Sequence, residues 1–194
     1  MPGVDASLFP VFLKLAGRDV VVVGAGAIAE RKVEALVGAG ARVRLVAPEA
    51  TAELQRLARE GFIEWTGRRF EEADLDGAWM VVSSTGDAET QRRVTAAAET
   101  RRVFVLAVDD PPNATAYSGA VIRRLPFLIA ISSSGATPAL TRVVREIIEQ
   151  VLPGPDWVEH AKALRRRWIA DGTPMGERFG SLVRDLKDRS RPNE

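Results

Sequence analysis

Cysteine is absent from the 194-residue chain, and histidine occurs once, as His160. The first absence excludes a disulfide scaffold, a thiolate zinc site, an iron–sulfur cluster and a cysteine nucleophile; the second excludes a histidine cage, so no metal site is expected. Any redox chemistry has to be brought in by a cofactor. An excess of one charge is missing too. The 27 basic residues face 26 acidic ones, leaving +1, and no overall field draws the chain to nucleic acid. No apolar run reaches the roughly 18 residues of a membrane-spanning helix, and the opening MPGVDASLFPVFLKL has no basic flank or long apolar stretch. The expectation is a cytoplasmic protein with neither a membrane nor a nucleic-acid partner. What is present is globular in kind: 46% hydrophobic and 27% charged residues, on a chain long enough to bury a real core.

Residues 19–46 carry the clearest pattern. Val20 to Val23 form an apolar run without alternation, as a parallel strand covered on both faces requires. Ile28, Val33, Leu36 and Val37 then recur at helical spacing, Gly38 and Gly40 supply the stop, and ARVRLV is the next strand. Further along, a helix is expected to open at Pro48 and Glu49 and run to about Arg59. FIEWTG, AWMVVSS and Val103 to Val108 read as strands, and residues 87–101 as an alanine-rich helix. This alternation predicts a doubly wound α/β domain over residues 1–112. After residue 109 the alternation breaks. DDPPNATAYSG is loop-like, AVIRR and LPFLIAISSS are adjacent strands, and TPALTRVVREIIEQVL is a helix, giving a second region over 113–150. Beyond the breaker from Pro153 to Pro155, Trp157, Ala161, Leu164 and Trp168 suggest helical burial, and a shorter helix follows near 175–188, so 151–194 forms a helical carboxyl-terminal region.

The turn GAGAIA, residues 24–29, fits G-x-G-x-x-G/A between a strand and a helix, the context in which that pattern points to a dinucleotide. Gly24 permits the tight turn, Gly26 lets the backbone approach a pyrophosphate, and Ala29 lets the helix pack closely. The amides of Ala27 and Ile28 then stand at a helix N-terminus, where unpaired donors favour phosphate. The acid that usually ends the second strand is displaced: Ala47 and Pro48 stand there, and Glu49 follows, so ribose is held by Glu49 or by backbone groups. Arg42 and Arg44, alternating on one strand face, are either solvated charges or partners for a 2′-phosphate; the balance favours NAD over NADP. Thr85, in SSTGD, serves either as a ligand contact in the crevice or as part of a helix cap.

At the end of the fifth strand, Asp109 and Asp110 form either a turn or a general base. The hydroxyl-rich turn ISSSGATPALTR leads into a helix with Pro138 in its first turn, a shape that binds anions or merely caps the helix. Arg123, Arg124, Arg142 and Arg145 cluster around it in sequence and suit carboxylates.

In order, FPVFLKLAGRDVVVVGAGAIAERKVEAL, VVSSTGD, AVDDPPNATAYSGAVIRR and LPFLIAISSSGATPALTRVVRE resemble the precorrin-2 dehydrogenase and sirohydrochlorin ferrochelatase family, which includes the amino-terminal part of sirohaem synthase and stand-alone enzymes. The match spans about residues 8–150, and LPG with GTPMGERF extends it into the terminal helices. The resemblance implies NAD-dependent oxidation of precorrin-2, a tetrapyrrole rich in carboxylates, to sirohydrochlorin. In some members iron insertion follows. The family's essential aspartate falls on Asp109, its dinucleotide contacts fall near Ala27, Ile28, Pro48 and Glu49, and Ser133 aligns with a serine beside the tetrapyrrole. Ser133, Ser134, Gly135 and Arg124 are the expected substrate contacts. The family fold is a Rossmann-type parallel sheet domain, then a small strand-and-helix dimerisation region and a helical carboxyl-terminal region, which makes a homodimer the expectation. Lacking a methyltransferase part, the chain is expected to receive precorrin-2 from another protein, by transfer or transient contact with the upstream methyltransferase. Two departures stand out: Ala116 and Gly119 replace an aromatic and a proline, and Ser134-Gly135-Ala136 replaces a TGG-type turn. A non-catalytic NAD-sensing module is the alternative. A small-acid dehydrogenase is a third reading, for which no paired histidine base is visible.

Overall fold

The computed structural model describes residues 8–108, 110–152 and 154–189, in two compact units. The first runs to Ser118 and includes Ser134–Ala136; the second comprises Gly119–Ser133 and the chain from Thr137.

In the first unit, β1 (Asp19–Val23), β2 (Arg42–Val46), β3 (Ile63–Thr66), β4 (Met80–Ser83) and β5 (Phe104–Ala107) alternate with α1 (Ala27–Gly38), α2 (Ala52–Arg59) and α3 (Ala88–Arg101). The five strands are parallel in the order β3-β2-β1-β4-β5. Chain progression therefore reverses between β1 and β4, so the carboxyl ends of these two strands flank the switch point where ligands of such sheets bind. Val20, Val21 and Val22 have 0% exposed surface, which confirms the two-sided cover expected from the unbroken valine run. Val20 and Val22 pack with Ala29, Val33 and Leu36 of α1, whereas Val21 packs with Val94, Ala97 and Ala98 of α3.

The outer edge of β5 is covered by irregular chain. Thr115 Oγ1 accepts from the Val105 amide at 2.8 Å, and the Thr115 and Ala116 amides both donate to the Val105 carbonyl at 2.9 Å. At the opposite edge β3 has only four residues.

In the second unit, β6 (Ala120–Arg124) and β7 (Phe127–Ile131) form an antiparallel pair with Ile122 opposite Ile129. Gly119 is fixed by packing, since a Cβ there would lie 2.1 Å from the Ile131 carbonyl oxygen. Helix α4 (Pro138–Val151) packs on β6, and α5 (Pro155–Ala170) packs on α6 (Met175–Arg189). Leu164 and Trp168 are buried on α5, as their spacing suggests, but Trp157 keeps 36% of its surface exposed. His160 pairs with Asp185 across α5 and α6, so its place is structural.

The helix expected to open at Pro48 begins instead at Ala52. Thr51 caps it by accepting from the Leu54 amide, and Pro48 and Glu49 form a bend that turns the chain off the end of β2. Leu45, with no exposed surface on the interior strand β2, is a sensitive test of this core. Leu45→Ala is expected to cost roughly 2–5 kcal/mol in urea unfolding monitored by circular dichroism.

Candidate functional site

Four loops meet along the carboxyl edge of the parallel sheet, laced by backbone hydrogen bonds. The Gly24 amide donates to the Val46 carbonyl at 3.0 Å, joining the exits of β1 and β2. The Ser84 amide donates to the Val23 carbonyl at 2.9 Å, and the Val108 amide to the Ser83 carbonyl at 2.9 Å, carrying the lacing across β4 to β5. The loop after β2 is tied in as well, because the Thr51 amide donates to the Ala25 carbonyl at 3.3 Å.

Within this frame the two glycines do different work. Gly24 has φ +95°, and a Cβ on it would lie 2.4 Å from the Ser84 carbonyl oxygen, so both backbone conformation and packing require glycine. Gly26 sits at φ −85° and ψ −177°, which any residue adopts, and a Cβ there would meet nothing within 4 Å. Neither strain nor protein packing explains it; room above the first turn of α1 does. Gly26 is also the N-cap of α1 and offers no side-chain hydrogen bond, leaving the first-turn amides of Ala27 and Ile28 without a side-chain cap. By contrast, α2 is capped by Thr51 and α3 by Asp87. Ala29 is fully buried against the sheet, and Ile28 stays exposed on the same first turn. An open cradle over uncapped donors fits the pyrophosphate of a dinucleotide. Ser83 adds a fully buried hydroxyl with no protein partner at the end of β4, in register with Val23 beside the glycine turn.

Pro48 and Glu49 lie exposed on the bend after β2, which the Thr51 bond holds against the glycine turn. Arg42 and Arg44 do not join them. Arg42 stands at the amino-terminal start of β2, where its Nε and a terminal nitrogen donate to the Asp19 carboxylate at 2.8 and 2.9 Å, holding that carboxyl below the usual range. A terminal nitrogen of Arg44 donates to the Asp76 carbonyl at 3.1 Å. Arg42 thus stands at the start of β2 and Arg44 at its middle, both engaged by other residues; strand alternation reports a face and not an end.

Thr85 turns out to shape the loop. Its Oγ1 accepts from the Asp87 amide at 3.2 Å, while Asp87 is the α3 cap, accepting from the Glu89 and Thr90 amides. The Thr90 hydroxyl and amide hold the Asp87 carboxyl below its ordinary value. The Thr85 amide nitrogen lies 3.0 Å from where a Cβ of Gly24 would stand, so Thr85 borders the glycine turn.

At the end of β5, Asp109 lies outside the described residues. Asp110 is described, and it is occupied: its Oδ2 accepts from Gln91 Nε2 and from Asn113 Nδ2, each at 2.7 Å. This grip holds the 3-10 turn Pro111–Asn113 against α3, with Thr95 Oγ1 donating to the Asn113 carbonyl at 3.4 Å. Gln91 and Asn113 escaped the sequence reading. The signal was present for Gln91, a polar residue in phase with buried Val94 and Ala98 on α3.

Gly135 comes beside this loop, since a Cβ on it would lie 3.9 Å from Pro111 Cγ; Ser134 and Gly135 both adopt positive φ. Ser133 belongs to the start of α4, its Oγ accepting from the Thr137 amide at 3.2 Å and the Thr141 hydroxyl at 2.8 Å. Arg124, also in the second unit, donates to the Leu152 carbonyl at 2.9 Å.

Residues 11–120 match an NAD(P)-binding family model. The chain is 39% identical over 176 residues to "Siroheme synthase 3" of Aeromonas hydrophila, the match covering 87% of this chain and 36% of that one. It is 40% identical over 171 residues to "Siroheme synthase 1" of Aeromonas salmonicida, with the same two coverages. The chain thus spans about a third of the length of these relatives. Among solved structures it is similar in fold to "SirC, precorrin-2 dehydrogenase", with a TM-score of 0.72 and 23% identity over 91% of this chain and 88% of that chain.

Replacing each glycine separates fold from binding. Gly24→Ala is expected to lower the melting temperature by several degrees, through the clash with Ser84. Gly26→Val is expected to lower melting by no more than about 4 °C, through a poorer N-cap, and to weaken NAD(P) binding about tenfold or more in isothermal titration, by filling the cradle. The lowered Asp87 carboxyl sets an acid limit: its capping bonds are fully present above the ordinary carboxylate pKa of about 3.9 and are lost as pH falls through the lower folded value. Stability of wild type relative to Asp87→Ala, measured by urea unfolding across pH 6 to 2, is expected to converge at the acid end.

Proposed function

Because the chain belongs to the NAD(P)-binding family, we propose that it oxidises precorrin-2 to sirohydrochlorin with NAD as the hydride acceptor. The observation that carries this reading is the uncapped N-terminus of α1 under the open space at Gly26, at the switch point of a parallel sheet, in a chain similar over most of its length to siroheme synthases.

NAD bound at this edge supplies the place to which a hydride leaves the macrocycle. The amides of Ala27 and Ile28 bind the pyrophosphate, Gly24, Gly26 and Ala29 permit the close approach, and Thr85 borders the same turn. Pro48 and Glu49 meet the adenosine ribose, with the Glu49 carboxylate accepting from its hydroxyls. A negative charge at that position disfavours a 2′-phosphate, and Arg42 and Arg44 of β2 are engaged by the Asp19 carboxylate and the Asp76 carbonyl, so NAD is preferred over NADP. The oxidation removes one hydride and one proton, and Asp109 takes the proton as general base. Ser133, Ser134, Gly135 and Arg124 hold substrate carboxylates, the Ser134–Gly135 turn lying beside Pro111 on the β5 loop. Such an enzyme works in the cytoplasm on precorrin-2 supplied by a methyltransferase.

A homodimer belongs to the same reading. Leu140, Val143, Ile147 and Val151 form an exposed apolar stripe along α4, and a second copy of the chain is the occupant that the family resemblance implies.

In anaerobic mixtures of protein, precorrin-2 and NAD, absorbance of NADH is expected to rise in step with sirohydrochlorin, and more slowly with NADP. Asp109→Ala is expected to keep NAD binding and to lose turnover by about 10²–10⁴-fold. Binding of NAD without any NADH formed by the wild type would favour the sensing module instead. Ile147→Glu is expected to shift the mass measured by light scattering from two chains toward one.

A further inference from the structure

The Gln91, Asp110 and Asn113 side chains form a built polar cluster that none of the binding steps above uses. Gln91 is 7% exposed, one of two buried polar residues among the described residues, and Asp110 is half-buried. A buried amide on the apolar face of a helix is costly unless its donors are used, and Gln91 spends a donor on Asp110 Oδ2 at 2.7 Å. Asn113 spends another on the same oxygen, also at 2.7 Å. Further bonds fix the turn from the outside: the Asn113 amide donates to the Asp110 carbonyl at 3.2 Å, and the Tyr117 hydroxyl donates to the Pro111 carbonyl at 3.1 Å. One residue before the loop, the Val108 amide is tied to the Ser83 carbonyl at 2.9 Å.

We infer that Gln91 and Asp110 are positioning residues: their hydrogen bond clamps onto α3 the loop after β5, the loop that carries the general base of the proposed oxidation. The inference rests on the proposed oxidation. It assigns the two adjacent aspartates different tasks, one chemical and one mechanical. Because both donors converge on a single oxygen of Asp110, the clamp needs an acceptor there and not a charge. Asparagine supplies that acceptor, whereas alanine does not.

The test compares Gln91→Met, which keeps side-chain volume and removes the donor, with Asp110→Ala and Asp110→Asn. Turnover is measured with precorrin-2 at saturating NAD, KM for NAD is measured separately, and backbone hydrogen exchange is followed over residues 104–114. Gln91→Met and Asp110→Ala are expected to lose kcat by about tenfold or more while KM for NAD stays within about twofold, and to exchange faster over this segment. Asp110→Asn is expected to keep slow exchange and to retain kcat within about threefold of wild type. Wild-type kcat and exchange in Gln91→Met would overturn the clamp. Asp110→Asn as impaired as Asp110→Ala, with exchange still slow, would overturn it too, by making the charge the essential feature. A wild type that forms no NADH from precorrin-2 overturns the proposed oxidation, and the catalytic role of the clamp with it. An active wild type with unaffected variants overturns the clamp alone. If Gln91→Met does not fold, the two Asp110 variants decide between the same outcomes.

Discussion

The Ser84 carbonyl occupies the space where a side chain at residue 24 would begin, and the rest of the carboxyl edge is built around that close approach. With no Cβ at this point, β1 can leave the sheet at positive φ while the exit of β4 crosses beside it. The lacing from Val46 through Gly24, Val23 and Ser83 to Val108 then holds four strand ends in one row. A row so fixed presents the start of α1 at the place where the sheet reverses order. Position and backbone conformation here are consequences of packing, and the chemistry of the edge follows from them.

Polar groups along the edge divide into satisfied and unsatisfied sets, and the division has meaning. Helices α2 and α3 spend Thr51 and Asp87 on their own amides, while α1 begins with a glycine that offers nothing. Glycine in place of a capping side chain costs a helix only about a few tenths of a kcal/mol, which a bound anion can more than return. The Ser83 hydroxyl is likewise left without a protein partner, although its surroundings are fully buried. Asp110, one loop away, is the opposite case, because both of its donors belong to the protein. The structure thus reserves donors at the glycine turn and spends them at the β5 loop.

Most of the parallel sheet was legible because two-sided burial writes itself into the chain as unbroken valine, and because the glycine turn stands directly between strand and helix. The start of α2 was not. Pro48 and Glu49 have the character of first-turn residues, and only the tie from Thr51 to Ala25 reveals that they are needed to turn the chain off β2. Arg42 and Arg44 left two readings open for a different reason: alternation places them on a face, but the distance from the ligand edge is a property of strand direction, and Asp19 claims the first of them. The pairing of Gln91 with Asp110 joins positions 19 residues apart on separate elements, and periodicity alone marks only that a polar residue sits in an apolar row. In the serine-rich turn, Ser133 is committed to the start of α4, while Ser134 and Gly135 turn the chain at positive φ.

The segment that seals β5 also bears on how the protein survives crowding. An open parallel sheet ends in two rows of unspent backbone donors and acceptors, each a template onto which a stray strand can add. Here Thr115 and Ala116 consume the Val105 amide and carbonyl with non-repeating chain, and the other border is a short strand of four residues. The connection that leads out of the nucleotide-binding layer therefore also occupies backbone groups on one border of the sheet that a stray strand could otherwise pair with. Without Thr115 and Ala116, the Val105 amide and carbonyl would stand open to such a strand.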